Sequence, residues 1–296
     1  MVSNLRRINI SLSLKSTVDL VFIYRRSILI SSLVNSARIK GHKMQLPLIL
    51  LAILGLAVAT PVDLTKLKGA LMKEDVLGRN SALENTVLNL LEDLRQTMLT
   101  GNDDVPVLDP LEIDNLHLDG EILPIPDSHV DIKDLRVQKL STFVVDQLSV
   151  NTLSLRRYRL EFNIQIPVLE ALAAHYDLSL AVAGTNIFGN GDAKVDLIEP
   201  RVFGTLVLGP RITIGSGLFL QITSSDVHLS LKGFESQING LMNDPAMSDF
   251  INTFLKHFVP ELLVLHEDEI TKFLSDTVQE VGNDILRDIN VFDIFG

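Results

Sequence analysis

Three stretches hold side chains of the kind that do chemistry, and each lacks a partner at the required spacing. Ser216 lies in Ile214-Gly-Ser-Gly-Leu218. A nucleophile elbow needs glycines two residues before and two after the serine, so that a sharp strand-to-helix turn exposes the hydroxyl. Here the glycines flank the serine directly, within an alternating pattern, which predicts a glycine-relieved bend in a long strand. His266-Glu267-Asp268-Glu269-Ile270 starts like a zinc-binding helix, but no second histidine follows the glutamate at the required place. It reads as a solvated helix face. Asn115-Leu-His-Leu-Asp119-Gly120 resembles the opening of a calcium loop, yet the position of the bidentate acid is Pro126. The remaining histidines (His117, His129, His175, His228 and His257) are scattered singly, and no phosphate-binding glycine loop occurs. The chain holds no cysteine, which removes thiol nucleophiles, thiolate metal sites and disulfides together. No catalytic residue, metal site or cofactor is expected, and a hydrolase lacks its nucleophile–base pair.

The elements that would position a site are apolar. Residues 244–289 are organised as helix: Asp244 suits an N-cap and Pro245 the first helical position. Phe250, Phe254 and Phe258 recur four apart and stack on one face. Pro260 is expected to interrupt the helix, because an interior proline lacks the N–H and clashes with the preceding turn. Helical spacing resumes with Leu262, Leu265, Ile270, Phe273, Leu274, Val278, Val281, Ile285 and Ile289, and an apolar stripe of this length must be covered.

Two further helices are expected near the start of the body, the first on Leu64, Leu67, Ala70 and Leu71 and fading at Gly78. A capping box of Ser81 and Glu84 opens the second, which runs through Leu83, Val87, Leu91, Leu94 and Met98. From Val105 to Leu231 the period falls to two. Residues 160–166, 176–182 and 227–231 alternate apolar and polar side chains as half-buried strands do, with weaker cases at 218–222 and 130–132. Asn190-Gly191 predicts a hairpin turn and Gly209-Pro210 another, so the sheet is expected to be antiparallel. Helices, then strands, then helices make an α+β chain.

Composition bounds the partners. Residues 1–43 contain eight of the 26 Lys/Arg and one of the 37 acids, so the rest of a chain of net charge −11 is strongly acidic. Such a body argues against nucleic acid and against anionic membranes. Leu46–Ala59 is an apolar run preceded by Lys40, His42 and Lys43 and closed by Ala57-Val-Ala59. It is too short to span a membrane and has the layout of a secretory signal. The expected organisation is an extension over 1–43, disordered or lying upstream of a true start at Met44; a signal peptide over 44–59; and one domain over 60–296.

Strand parity gives a candidate set for an apolar cavity between sheet and helices. It consists of Leu160, Phe162, Ile164 and Ile166; Leu178, Leu180 and Val182; Leu206, Ile212, Ile214, Leu218 and Leu220; and Phe250, Phe254, Phe258 and Leu262 from the helix. Gly204, Gly215 and Gly217 suit a bent sheet. Parity does not distinguish a cavity from a filled core.

Two segments resemble a known family. Val107-Leu-Asp109-Pro110-Leu-Glu-Ile113, followed by Val130-Asp-Ile132-Lys-Asp-Leu135-Arg-Val137-Gln-Lys-Leu140-Ser141, is similar to the opening of haemolymph juvenile-hormone-binding and takeout proteins. Leu231-Lys-Gly-Phe234, Leu241-Met-Asn-Asp244-Pro245 and Phe250-Ile-Asn-Thr-Phe254-Leu resemble the group 7 branch of arthropod, mite-allergen-like proteins. The resemblance implies the tubular lipid-binding fold of bactericidal/permeability-increasing proteins: a strongly curved antiparallel sheet wrapped around a long C-terminal helix, with lipophilic ligands between them and no catalysis. Hormone binders and takeout proteins typically carry a cysteine pair near the mature N-terminus. Its absence here favours the group 7 branch. The resulting expectation is a secreted, non-enzymatic carrier of a lipophilic small molecule or lipid. The alternative is an extracellular interaction module with a filled core. The oligomeric state is left open.

Overall fold

A single strand of 29 residues, β6 (Thr185–Thr213), is the spine of the sheet. The computed structural model describes residues 76–102, 106–119, 129–154, 156–182, 185–213 and 217–286, all within the compact unit His42–Gly296. The expected extension, signal peptide and first helix lie outside the described residues, as do Gly120, Pro126, Ile214, Gly215, Ser216 and Ile289.

One edge of β6 carries two strands in succession. β5 (Val168–Val182) pairs with its first half, from Val182↔Thr185 to Val168↔Ile198, and β4 (Arg157–Gln165) with its second, from Gln165↔Arg201 to Tyr158↔Leu208. The crossing from β4 to β5 is tied by Ile166 N–H donating to Pro200 O and Glu199 N–H to Pro167 O, both at 3.0 Å. β7 (Gly217–Ile238) runs along the other edge from Thr213↔Gly217 to Ala193↔Ile238. Beyond β5 lie β2 (His129–Gln138) and then β1 (Leu111–Asp119), while β3 (Val144–Ser154) lies beyond β4. Every pairing is antiparallel, in an open, curved sheet of seven strands.

The expected turns at Asn190-Gly191 and Gly209-Pro210 are both inside β6. Long-range pairing overrides the local signal, and the glycines serve close approach instead. A Cβ on Gly191 would stand 2.3 Å from the Asn239 carbonyl oxygen, and one on Gly204 would stand 2.0 Å from that of Asp226. At both positions the backbone of β7 or of the residue after it comes close where a side chain is missing.

Helix α1 (Val76–Thr100) runs unbroken through Gly78 and Ser81, so the capping box is not a helix start. Glu84 reaches outward instead, and its carboxylate accepts the Val150 N–H of β3 at 2.8 Å. Nearby, Thr152 Oγ1 donates to Asn80 at 2.7 Å. At the other end, Leu94 and Met98 pack with Leu135, Val137, Leu140, Phe143 and Leu169. Asp109 fastens the connection: its carboxylate accepts the Lys139 and Ser141 backbone N–H groups at 2.7 and 2.8 Å. The Asp109 and Lys139–Ser141 positions of the family-like segments are therefore structural.

Helix α2 (Pro245–Leu265) starts as predicted, with Asp244 Oδ1 accepting the N–H groups of Ala246 (2.8 Å) and Met247 (3.4 Å). It continues through Pro260, contrary to expectation, and the break falls at His266, before α3 (Glu267–Leu286). The long C-terminal helix is two helices. Both close the free edge of β7. Asn252 of α2 accepts the Ile238 N–H and donates to the Ile238 carbonyl (3.0 and 3.2 Å), and Asn283 of α3 does the same for Ile222 (2.6 and 3.1 Å). Each amide substitutes for one residue of a missing strand, so the edge is not left as a template for aggregation.

Candidate ligand-binding face

Directly opposed residues of an antiparallel pair share a face. Leu160 pairs with Leu206, Phe162 with Gly204, Ile164 with Val202, Leu178 with Gly189, Leu180 with Ile187 and Val182 with Thr185. On β7, Leu220 pairs with Pro210 and Leu218 with Ile212. A period of two would put the β6 partners from Val202 on and those up to Gly189 on opposite faces. The left-handed Glu199 (φ 47°) between them breaks that alternation, and Leu197 packs in one cluster with Ile164 and Ile166, so both sets belong to one apolar face. Its register-paired positions in β4–β7 carry no Asp, Glu, Lys, Arg or His. The charges pair on the other face, where Asp196 opposes Glu235 and Glu161 opposes Thr205.

The helices divide this face. Ile270 and Leu274 of α3 pack on Val227, with Phe162, Val202, Leu206 and Leu229 around them. Leu160 packs with Leu83, Val150, Tyr158 and Leu286, and the buried Leu220 with Leu208 and Leu286. Ile164 and Ile166 join the cluster beneath α1. Six candidates are thus in contact with a helix or with the core beside it. Leu178 and Leu180 are half-buried, while Ile212 and Leu218 are placed by register alone and Ile214 lies outside the described residues.

Helix α2 behaves differently. Its buried side is Ser248 and Val259, beside the Asn252 clamp on β7. Phe250 is 66% exposed, Phe254 49%, Phe258 40% and Leu262 37%. Phe254 and Phe258 stack with ring centroids 4.8 Å apart. Lys256 reaches Glu235 on the polar face of the sheet at 3.3 Å. At about 100° per residue, Phe254 and Phe258 lie about 160° and 120° around the helix from Asn252, so the aromatic row is turned away from the contact with β7. No sequence pattern marked Asn252 and Asn283 as clamps, although Ser248 and Asn252, four apart on one side of an apolar helix, form a polar seam.

Polar chemistry on this face is sparse. Tyr176, 3% exposed, donates its hydroxyl to the Asn239 carbonyl at 2.6 Å. Burial, helped by Asp192 and Asp177, pushes its phenol up to about 12. Three histidines are tied one by one to carboxylates: His117 to Asp131 (2.5 Å), His129 to Asp177 (3.4 Å), and His228 to Asp226 (3.2 Å) while stacked on Phe203. Among the described residues no group of three His, Asp or Glu could hold a metal ion, and no helix is long and apolar enough to cross a membrane.

An uncharged face of this extent, backed by helices, is a surface suited to apolar contacts. The chain belongs to the haemolymph juvenile hormone binding protein family, which it matches over residues 54–296. Among solved structures it is similar to Takeout 1 of Epiphyas postvittana, at 15% identity and a TM-score of 0.42, over 72% of this chain and 94% of that one. It is also similar to lipopolysaccharide binding protein, at 11% identity and a TM-score of 0.34, over 67% of this chain and 38% of that longer one. No curated protein matches.

Proposed function

We propose that the mature chain, Thr60–Gly296, is a secreted, non-enzymatic carrier for an uncharged lipophile. The observation that carries this is the absence of charge at the register-paired positions of the apolar face, beside an aromatic row that water otherwise meets. A ligand there gains hydrophobic transfer energy, at roughly 25 cal/mol per Å² of apolar surface removed from water. It finds no cation to neutralise a carboxylate, whose burial unpaired costs several kcal/mol or more. Esters, alcohols and hydrocarbons suit such a lining, and free fatty-acid anions do not. Leu178 and Leu180 with Phe250, Phe254, Phe258 and Leu262 are its open contacts; Leu160, Phe162, Ile164, Ile166, Leu206, Leu218 and Leu220 form its floor. The family's haemolymph name and the signal-like run at 44–59 support secretion. Juvenile hormone is one candidate ligand, and other neutral lipids are equally compatible with the lining.

The packing of Phe162 and Leu206 under α3 supports a second reading, an interaction module whose core is filled. Displacement of a fluorescent apolar probe separates the two. The carrier reading expects a long-chain alcohol or methyl ester to compete at least about tenfold better than the acid of equal length at neutral pH, a difference of about 1.4 kcal/mol. No displacement by any of the three would leave the filled module.

A further inference from the structure

Arg157 and Arg159 open β4, and Arg211 stands near the end of β6. We propose that these three arginines form an oxyanion site on the charged face, separate from the apolar one, for a phosphate monoester carried by a lipid headgroup or by a soluble compound.

The register brings them together. Arg159 pairs with Val207 and Tyr158 with Leu208, which sets Arg157 level with Gly209. Gly209 and Arg211 are two apart on β6 and share a face. The Arg157 side chain lies over Gly209, where a Cβ would meet its Cγ at 3.6 Å and its Nε at 3.9 Å. It thus leans toward the strand that carries Arg211. The Arg211 Cζ is 5.9 Å from the centre of the Phe219 ring on β7. Arg157 and Arg159 are exposed and Arg211 is half-buried. Tyr158 and Leu160 alternate with the two exposed arginines and pack on the apolar side with Leu83 and Val150.

Charge selects the ligand. Arg95, Arg136 and Arg201 each have a carboxylate, at 2.9, 3.9 and 2.6 Å. Arg157, Arg159 and Arg211 have none among the described residues, in a chain whose net charge is −11. Glu161, the next residue beyond Arg159 on the same face, opposes Thr205 and bounds the cluster without pairing with it. Like charges held side by side on strands repel, and an anion that bridges them removes that repulsion. The residue type narrows the choice further. A carboxylate has two oxygens and is matched by a single guanidinium fork. A phosphate monoester offers three acceptor oxygens and about two negative charges at neutral pH. Three forks on a rigid sheet therefore favour the phosphate.

The test has two arms. In the first, the ¹⁵N-labelled protein is titrated with glycerol phosphate and, at matched ionic strength, with acetate. Saturable amide shifts at Arg159, Val207 and Gly209 are expected with glycerol phosphate, at a Kd of ~1 mM and at least about tenfold tighter than with acetate. Arg157→Gln and Arg159→Gln, both at exposed positions, should each weaken that binding about tenfold while displacement of an apolar probe from the other face is unchanged. In the second arm the protein is sedimented with vesicles of phosphatidylcholine alone or of equimolar phosphatidylcholine and phosphatidic acid. Binding to the mixed vesicles alone, lost in both variants, assigns the phosphate to a lipid headgroup; shifts with glycerol phosphate and no vesicle binding assign it to a soluble compound. An equal response to acetate, indifference to both substitutions, or no binding in either arm would overturn the site.

Discussion

Helices α2 and α3 follow one another with a single residue between them, and both present an apolar stripe, yet they end in opposite environments. α3 buries Ile270, Leu274 and Val281 against the sheet. α2 buries Ser248 and Val259 and leaves Met247, Phe250, Phe254, Phe258, Leu262, Val264 and Leu265 exposed. The difference lies in how each helix is fastened. α3 is held on its apolar stripe and by the Asn283 clamp. α2 is held by the polar seam of Ser248 and Asn252, which turns its apolar row away from the contact. A stripe records that something apolar must cover a helix. The polar residues beside it decide whether the protein itself does so.

Substitutions can sharpen this contrast. The largest effect is expected from Leu274→Ala, which opens a cavity at a side chain 2% exposed in the centre of the α3 contact. A loss of about 2–5 kcal/mol in denaturant unfolding is expected; a loss below 1 kcal/mol would show, on the same scale, that α3 is not core. Asn283→Ala comes next. It strips the Asn283 acceptor from the Ile222 N–H and one of two side-chain donors from its carbonyl, which Gln279 also reaches at 3.3 Å; Ile222 is 5% exposed, and the loss should cost about 1–3 kcal/mol. A neutral result would mean that water replaces the clamp.

A pH effect follows from Tyr176. Its folded pKa, about 12, lies above the ordinary tyrosine value of 10.0, so the native state holds the proton more tightly than the unfolded chain. The stability this gives is complete below pH 10 and lost as pH rises toward 12. Phenolate absorbance should contain one late transition that Tyr176→Phe removes; a transition in the ordinary range would contradict its burial. The smallest stability effect belongs to Phe254→Ser, within about 0.5 kcal/mol because the ring is half exposed. The same substitution should weaken binding of an apolar probe several-fold. If it unfolds the protein instead, α2 is packed like α3 and the contrast fails.

What was legible in the sequence was whatever depends on short range. Asp244 and Pro245 specify a helix start through their own backbone chemistry, and strand parity grouped Leu160, Phe162 and Ile164, and likewise Leu178 and Leu180, within their own strands. The α+β class followed from the change of period; the sheet is antiparallel as expected, although the two turns from which that was argued lie inside β6. What failed depended on distant partners. Asn190-Gly191 has the chemistry of a turn, but Gly191 is small because the Asn239 carbonyl passes over it. Ser81 and Glu84 have the spacing of a cap, but Glu84 is claimed by the Val150 amide, 66 residues on. Pro260 removes one hydrogen bond, which the packing of α2 tolerates. The division of the candidate face into a floor under α3 and an open row on α2 was equally out of reach, because both helices have the same periodicity.

The central claim, that the apolar face and the α2 row hold an uncharged lipophile, is tested most directly by native mass spectrometry of the protein purified from its own source, followed by organic extraction. The account predicts a mass above that of the polypeptide, lost on denaturation, with a neutral apolar molecule in the extract. A bare polypeptide mass that takes up neither terpenoid esters nor long-chain alcohols would contradict it.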